Sequence, residues 1–346
     1  MVEISRTDVP TTGPTIGVVC GGDDAPHVVW DWGSKTRSVG NNDSLAMLKY
    51  LQPDIQLRRM HLAPSYLRQP RRHNFSGCDL IWNAISDEIQ NSRTLAIAQR
   101  LIGEQKLPVV NPPALIPRTS RVEIARRLAG LDGVVAPKVL VLRNPSRERV
   151  ERLVRDAGFT FPGILRRTGT HNGDVIGIFP DLDSLATIFG DRKNEYNLIE
   201  FVDVRGKDGH YRKTRFFFVG DRIITRQHII SDEWSVHGRS SKRILADHPE
   251  LIEEGRDKLV NGFASLPTAT RTAVDAIRQR IGLDYFGLDC CMMESGEIVV
   301  FECNATMNFN PRFANPTTQH NRAALPRMID ALRALVAKKV AKPAAA

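Results

Sequence analysis

Phe286-Gly-Leu-Asp-Cys-Cys-Met-Met293 and Glu297-Ile-Val-Val-Phe-Glu-Cys-Asn304 are two strand-like runs joined through Ser295-Gly296, and they carry Asp289, Glu302 and Asn304. A two-residue turn at Ser295-Gly296 pairs the runs as an antiparallel hairpin. In that register Asp289 lies directly opposite Glu302, with Cβ atoms about 5 Å apart, where like charges are destabilising unless compensated. A divalent cation supplies the compensation. Side chains alternate faces along a strand, so Glu302 and Asn304 point the same way. Two carboxylates and an amide oxygen then surround one point, a set of hard donors suited to magnesium. The competing reading is a hairpin whose acids face solvent, and a loop one residue longer would break the pairing.

The chain has 346 residues, enough for two or three domains sharing a sizeable core, and 42% hydrophobic residues, which argues against disorder. Lys and Arg number 48 against 39 Asp and Glu, a formal charge of +9. That balance suits polyphosphates, acidic substrates or nucleic acid without selecting one. Arg58, Arg59, Arg68, Arg71 and Arg72 form the densest basic stretch, but apolar residues and prolines interrupt it. It reads as a solvated face or loop rather than a nucleic-acid patch. The five cysteines (Cys20, Cys78, Cys290, Cys291, Cys303) are odd in number and lack CxxC or Cys/His spacing. Neither a disulfide framework nor a zinc site is indicated, and a reducing cytosol fits. The first residues contain no apolar signal region, and no stretch approaches about 18 apolar residues. The expectation is a soluble cytoplasmic protein with no membrane partner, ending in a frayed tail from Lys338 onward.

From Thr15 to Pro113, β-branched runs alternate with helical ones: strands at 15–20, 56–62, 80–85 and 108–111, helices near 44–51 and 92–103. This pattern predicts a parallel sheet covered by helices. Gly17-Val-Val-Cys-Gly-Gly22 lacks the dinucleotide spacing and reads as a turn. Asn111-Pro-Pro113 and Pro117 mark a boundary. Ser120-Arg-Val-Glu123 is a capping box for a helix with Ile124, Leu128 and Leu131 on one stripe. A strand at 137–142, a helix near 146–157 and a strand at 163–166 follow. Asn197 to Val202 reads as a buried strand leading into an antiparallel unit, in which Gly220-Asp221 links strands at 215–219 and 222–228. A helix from Thr270 to Ile281, stopped by Gly282, delivers the chain to the hairpin.

After Ile164-Leu-Arg166 comes the loop Arg167-Thr-Gly-Thr-His-Asn-Gly173. Glycines admit phosphate oxygens to backbone N–H groups, and arginine binds them as a fork. A basic surface loop is the plainer alternative.

The succession of Asn111-Pro, Thr119 before a capped helix, Pro137 opening a strand, Ile164-Leu-Arg166 with its loop, Glu200-Phe-Val202, Gly287-Leu-Asp289 and Glu302-x-Asn304 resembles the ATP-grasp superfamily. The likeness runs from about residue 75 to residue 312 and is strongest to its carboxylate-amine ligases: D-alanine ligases, glutathione synthetases and the ligases that add glutamate to ribosomal proteins. Cys78-Asp-Leu-Ile-Trp-Asn83 resembles the strand that precedes substrate loops in their first domain. The resemblance implies an α/β (α+β mixed) ATP-grasp fold: an N-terminal parallel α/β domain over 1–113, a central lid over 114–198 and a C-terminal subdomain with the metal site over 199–346. It implies ATP and Mg2+ as cofactors, with Asp289, Glu302 and Asn304 holding the metal between the β- and γ-phosphates. Arg166 stands where the family has a phosphate-binding lysine, a change that keeps charge but alters shape. Gly169, Thr170, His171 and Gly173 would be the lid loop, and Arg121 a second phosphate-side or adenine-side cation. Glu200, Phe201 and Val202 would form the adenine hinge, with Glu200 accepting from the amino group and Asp203 or Asp208 reaching ribose. Arg215 would face the γ-phosphate or acyl phosphate. His228, His237, Asn308, Asn310 and Arg312 would be substrate contacts.

The implied function is an ATP-dependent ligase joining a carboxylate to an amine through an acyl phosphate, on amino acids or peptides. A kinase using the same metal cradle and a nucleotide-binding module without chemistry are the alternatives. No covalent nucleophile is required, so Cys290 and Cys291 read as packing residues. A homodimer is the family expectation, and nucleic acid is not an expected partner.

Overall fold

The computed structural model describes residues 13–23, 47–68, 73–169, 175–236, 244–245, 248–307, 309 and 322–341. Three sheets organise them. β1 (Thr15–Gly21), β2 (Gln56–Leu62), β3 (Leu80–Asn83) and β4 (Val109–Val110) form the first, all parallel, in the order β2-β1-β3-β4. β1 and β3 are buried on both faces, which is why they read as continuous apolar runs. α1 (Ser92–Gly103) connects β3 to β4 and buries Leu95, Ile97, Ala98 and Ile102. Gly21 ends β1 at φ 139°, where a Cβ would sit 1.9 Å from the Leu62 carbonyl oxygen. The glycine serves close strand packing rather than the turn its sequence suggested.

α2 (Arg121–Leu128) starts on Ser120, whose Oγ accepts from the Glu123 N–H at 3.3 Å. The helix stops at Leu128, so Leu131 lies beyond it. β5 (Val134–Val135) follows, then β6 (Val139–Arg143), α3 (Arg147–Asp156), β7 (Gly163–Arg167), β8 (Val175–Phe179) and β9 (Glu195–Glu200). β6 to β9 make an antiparallel sheet in the order β6-β9-β7-β8. β9 therefore belongs to this second sheet and not to the unit after it. The sheet has a core of its own, built on Leu142, Val150, Leu165, Leu185 and Leu198.

β10 (Tyr211–Val219), β11 (Arg222–Ser231), β12 (Tyr285–Met292) and β13 (Ile298–Asn304) complete the third sheet, ordered β11-β10-β12-β13-β5. β10 and β11 turn at Gly220-Asp221, with Val219 opposite Arg222 as the sequence predicts. β5 joins β13 in parallel. The segment read as the start of the lid is thus part of the third sheet, and the lid sheet begins at Val139. α4 (Pro249–Asn261) and α6 (Ala324–Val340) were not anticipated; α5 (Thr268–Ile281) was, with left-handed Gly282 at its end. Residues 338–340 are the last turn of α6 rather than frayed tail: Lys338 lies 3.3 Å from Asp221 and Lys339 2.8 Å from Asp284.

The first and third sheets share their cores. Val19, Ile81 and Ile102 pack in one cluster with Phe216, Ile277 and Leu288, while Trp82 and Val110 pack with Phe217, Tyr285 and Leu332. Asn111 stitches the two units together. At φ 54° its amide donates to the carbonyls of Tyr285 (2.6 Å) and Ala305 (3.1 Å), and its Oδ1 accepts from the N–H groups of Asp284 and Tyr285, both at 3.0 Å. The second sheet keeps a separate core. All five cysteines are buried and free. Among the described residues no helix is long and apolar enough to cross a membrane.

Candidate active site

The β12–β13 hairpin reaches its predicted pairing by another route. Gly296 (φ 91°) donates its N–H to the Met293 carbonyl and Met293 pairs with Glu297, so the loop is the three residues 294–296. Near the turn the register is offset by one, with Met292 opposite Ile298. A bulge at Phe301 then absorbs the extra residue and returns Asp289 to its place opposite Glu302. Bulges of this kind re-aim side chains beside sites. Two more adjoin the same cleft, at Arg226 in β11 next to Arg215 and at Ile176 in β8 next to Arg166.

Both carboxylates are held by arginine. Arg215, directly opposite Asp289 on β10, donates from Nε to Oδ1 at 2.6 Å and from Nη2 to Oδ2 at 2.8 Å. Lys213 Nζ is 3.7 Å from the same carboxylate. Burial would push the Asp289 carboxyl up, but Arg215 and Lys213 hold it below the usual carboxylate range. Arg121, at the start of α2, donates to Glu302 Oε2 at 3.0 Å and to the bulged Phe301 carbonyl at 3.3 Å. Asn304 Oδ1 accepts from the Thr306 N–H at 2.8 Å. Asp289, Glu302 and Asn304 are oxygen donors of the hardness magnesium prefers, and Arg215, Lys213 and Arg121 neutralise the two carboxylates. Burial pushes the thiols of Cys290, Cys291 and Cys303 up, as expected of inert packing groups.

A cavity of about 480 Å3 opens between the lid sheet and the third sheet. Ile164, Ile199, Val202, Val299 and Phe301 line one part of it; Arg121, Arg166, Lys213, Arg215, Asp289 and Glu302 line the other. Phe201 meets Trp234 edge to face at 6.0 Å on its wall. An apolar slot leading to a cluster of cations fits a flat base joined to phosphates. Lys213, Val204, Tyr211, Ser235 and Val236 line it without having been singled out. Lys213 was within reach of sequence reasoning, because it lies two residues before Arg215 and so on the same strand face.

Glu200 lines the cavity as expected, with its carboxylate accepting from Thr160 N at 2.8 Å and Lys138 N at 3.2 Å. These bonds tie the end of β9 to the segments before β6 and β7. Several predicted contacts are placed differently. Asp208 is engaged bidentately by Arg212, at 2.6 and 3.0 Å, and neither it nor Asp203 lines the cavity. His228 is buried between Thr214 Oγ1 (2.8 Å) and Glu254 Oε1 (3.0 Å) in a network continuing to Arg212. It is a satisfied structural group behind β10 and not a substrate contact. Gly169 reaches the loop after β3, its carbonyl accepting from the Gln90 side chain. Thr170, His171, Gly173, His237, Asn308, Asn310 and Arg312 lie outside the described residues, as do Arg71 and Arg72.

No protein-family model and no curated protein sequence matches the chain. Solved structures do. The D-Ala:D-Ser ligase VanG from Enterococcus faecalis, 13% identical, aligns with a TM-score of 0.52 over 93% of this chain and 99% of its own. The macrocyclase MdnC from Microcystis aeruginosa MRC, solved with its precursor peptide MdnA, is 12% identical, with a TM-score of 0.51 over 91% of this chain and 99% of its own. At such identities the likeness is one of fold, and the chain has the ATP-grasp fold.

Proposed function

We propose that this protein is an ATP- and magnesium-dependent ligase that joins a carboxylate to an amine, on an amino acid or peptide, through an acyl phosphate, releasing ADP and phosphate. The observation that carries the reading is a single cleft in which an apolar slot ends at Arg166, Lys213 and Arg215 beside the paired Asp289 and Glu302. Magnesium, when bound by Asp289, Glu302 and Asn304, supplies charge neutralisation along the polyphosphate. The chain's own groups do the rest. Arg215 exchanges one Asp289 oxygen for a phosphoryl oxygen, and Lys213, on the same strand face, adds a second cation where charge develops. Arg166 enters from the lid and Arg121 from α2, so closure of the lid brings cations to the phosphates from two sides and excludes water. The donor carboxylate attacks the γ-phosphorus and ADP leaves; the amine then attacks the acyl carbon and phosphate leaves. Positioning and charge, rather than a protein nucleophile, are what these steps require.

The test is ADP release screened against pairs of amino acids and peptides, with mass spectrometry of the product. The expected result is ADP formed in step with a condensed product that contains the amine. A phosphorylated hydroxyl with the amine unconsumed would make the protein a kinase, and tight ATP binding without turnover would make it a binding module. Glu302→Ala is expected to abolish magnesium-dependent turnover; full activity in that variant would refute the assignment.

A further inference from the structure

The cleft continues past its cationic end into a second cavity of about 560 Å3, and the two share Arg121 and Glu302. Four parts of the fold wall it: the loop 87–89 after β3, the start of α2 at Thr119–Val122, the second-sheet residues Arg143, Arg167–Gly169, Glu195 and Asn197, and the end of β13 at Glu302–Asn304. Two of its four acids are matched by cations, Glu195 by Arg143 and Glu302 by Arg121. Glu88 is not. Among the described residues no cation lies within ion-pair distance of its carboxylate, and the charges acting on it, Asp87 and Glu123, are both negative. It sits more than half buried, with a hydrogen bond from Ser120, and burial followed by those two acids pushes its carboxyl up. Asp87 aims it there from a left-handed backbone, φ 65°, fixed by the Ile89 and Gln90 N–H groups donating to Asp87 Oδ1 at 2.9 and 3.0 Å. At the cavity's edge Ile89 and Val122 are 52% and 38% exposed, an apolar rim around a charged interior.

We infer that this second cavity receives the amine co-substrate, with Glu88 binding its ammonium and Ile89 and Val122 contacting an apolar part of the same molecule. The inference rests on the ligase reading and assigns that reading's acceptor site. A partly buried carboxylate without a counter-ion carries a desolvation cost, and an arriving ammonium supplies one. The shared wall at Arg121 and Glu302 places the acceptor nitrogen beside the phosphate end of the first cavity. Before the nitrogen can attack, the ammonium must lose a proton, and Glu88 takes it as general base. The C–N bond then forms, the C–O bond to phosphate breaks, and phosphate leaves with the electron pair and takes up the second proton the nitrogen sheds as it becomes an amide.

The experiment uses the full chain loaded with Mg2+ and the ATP analogue AMP-PNP, titrated in a calorimeter with glycinamide, leucinamide and phenylalaninamide, which carry the ammonium but no carboxylate. At least one amide should bind the wild type, and Glu88→Gln should weaken it about tenfold or more. AMP-PNP affinity should stay within about twofold of wild type, which establishes that the variant is folded. N-acetyl-leucinamide, without the charge, should not bind. Amides that bind Glu88→Gln as well as wild type, or that bind neither, overturn the inference. In turnover, with the common amino acids supplied as carboxylates, uncharged hydroxylamine should trap the acyl phosphate as hydroxamate equally in wild type and Glu88→Gln. Hydroxamate from both with amide binding indifferent to Glu88 sinks the amine site alone; hydroxamate from neither sinks the ligase reading and this assignment together.

Discussion

Asp289 is 5% exposed and would be among the costliest groups in the protein without its partners. Removing one member of a buried pair leaves an uncompensated charge, at about 3–5 kcal/mol. Arg215→Ala should therefore cost about 3 kcal/mol, the lower end of that range, because Lys213 remains 3.7 Å away. Urea denaturation would measure it, and Arg215→Lys should recover only part, since lysine lacks the two-pronged fork. Because both carboxylates are already paired with guanidinium groups, Mn2+ offered alone should bind weakly and Mn2+ with ATP tightly, as read by the free-ion EPR signal. Tight binding of Mn2+ without nucleotide would contradict that.

At the scale of elements, β12 and β13 work as a unit only because Gly287 lets Met307 lie across them. A Cβ at Gly287 would fall 2.4 Å from Met307 Sδ and 2.6 Å from Met307 Cβ. Gly287→Ala should lose about 1–3 kcal/mol through overpacking, and it should disturb Asn304, its cross-strand partner. Adding Met307→Ala should restore part of the loss in a thermal melt. On the far side of β10, burial would raise the Glu254 carboxyl, but Arg212 and His228 hold it down at about 2. A carboxyl depressed on folding contributes stability above its unfolded value of 4.5, and that contribution is lost as pH falls through about 2. Melting temperature should accordingly rise from pH 2 to pH 5, and Glu254→Gln should flatten the rise without abolishing it, since Asp208 and Asp289 are depressed as well. An unchanged slope in that variant would refute the assignment of Glu254.

For the whole molecule the decisive residue is Asn111, which joins the first sheet to the third through four side-chain hydrogen bonds. At about 1 kcal/mol for each bond, Asn111→Ala should cost about 3–4 kcal/mol, with further loss from buried backbone groups left unpaired. Denaturation should show lower stability and, if the sheets uncouple, non-coincident fluorescence and circular-dichroism transitions; a variant as stable as wild type would show that the shared cores alone hold the units together. The lid takes no part in those cores.

The sequence by itself determined the elements whose signal is local: the alternating runs of the first sheet, the Ser120 cap, the Gly220-Asp221 turn, and the face shared by Glu302 and Asn304. It also placed Asp289 opposite Glu302, although through a turn that the structure replaces with a longer loop and a bulge. Only the tertiary structure decided what those residues meet. The three bulges beside Arg166, Arg215 and Glu302 have no local signature, because each arises from a mismatch between two strands distant in the chain. Glu200, Asp208 and His228 were legible as polar residues near the right motifs, yet their partners, Thr160, Arg212 and Glu254, are set by packing across elements. Period and capping are properties of a segment and survive without its neighbours; the pairing of a charge depends on every element that reaches it.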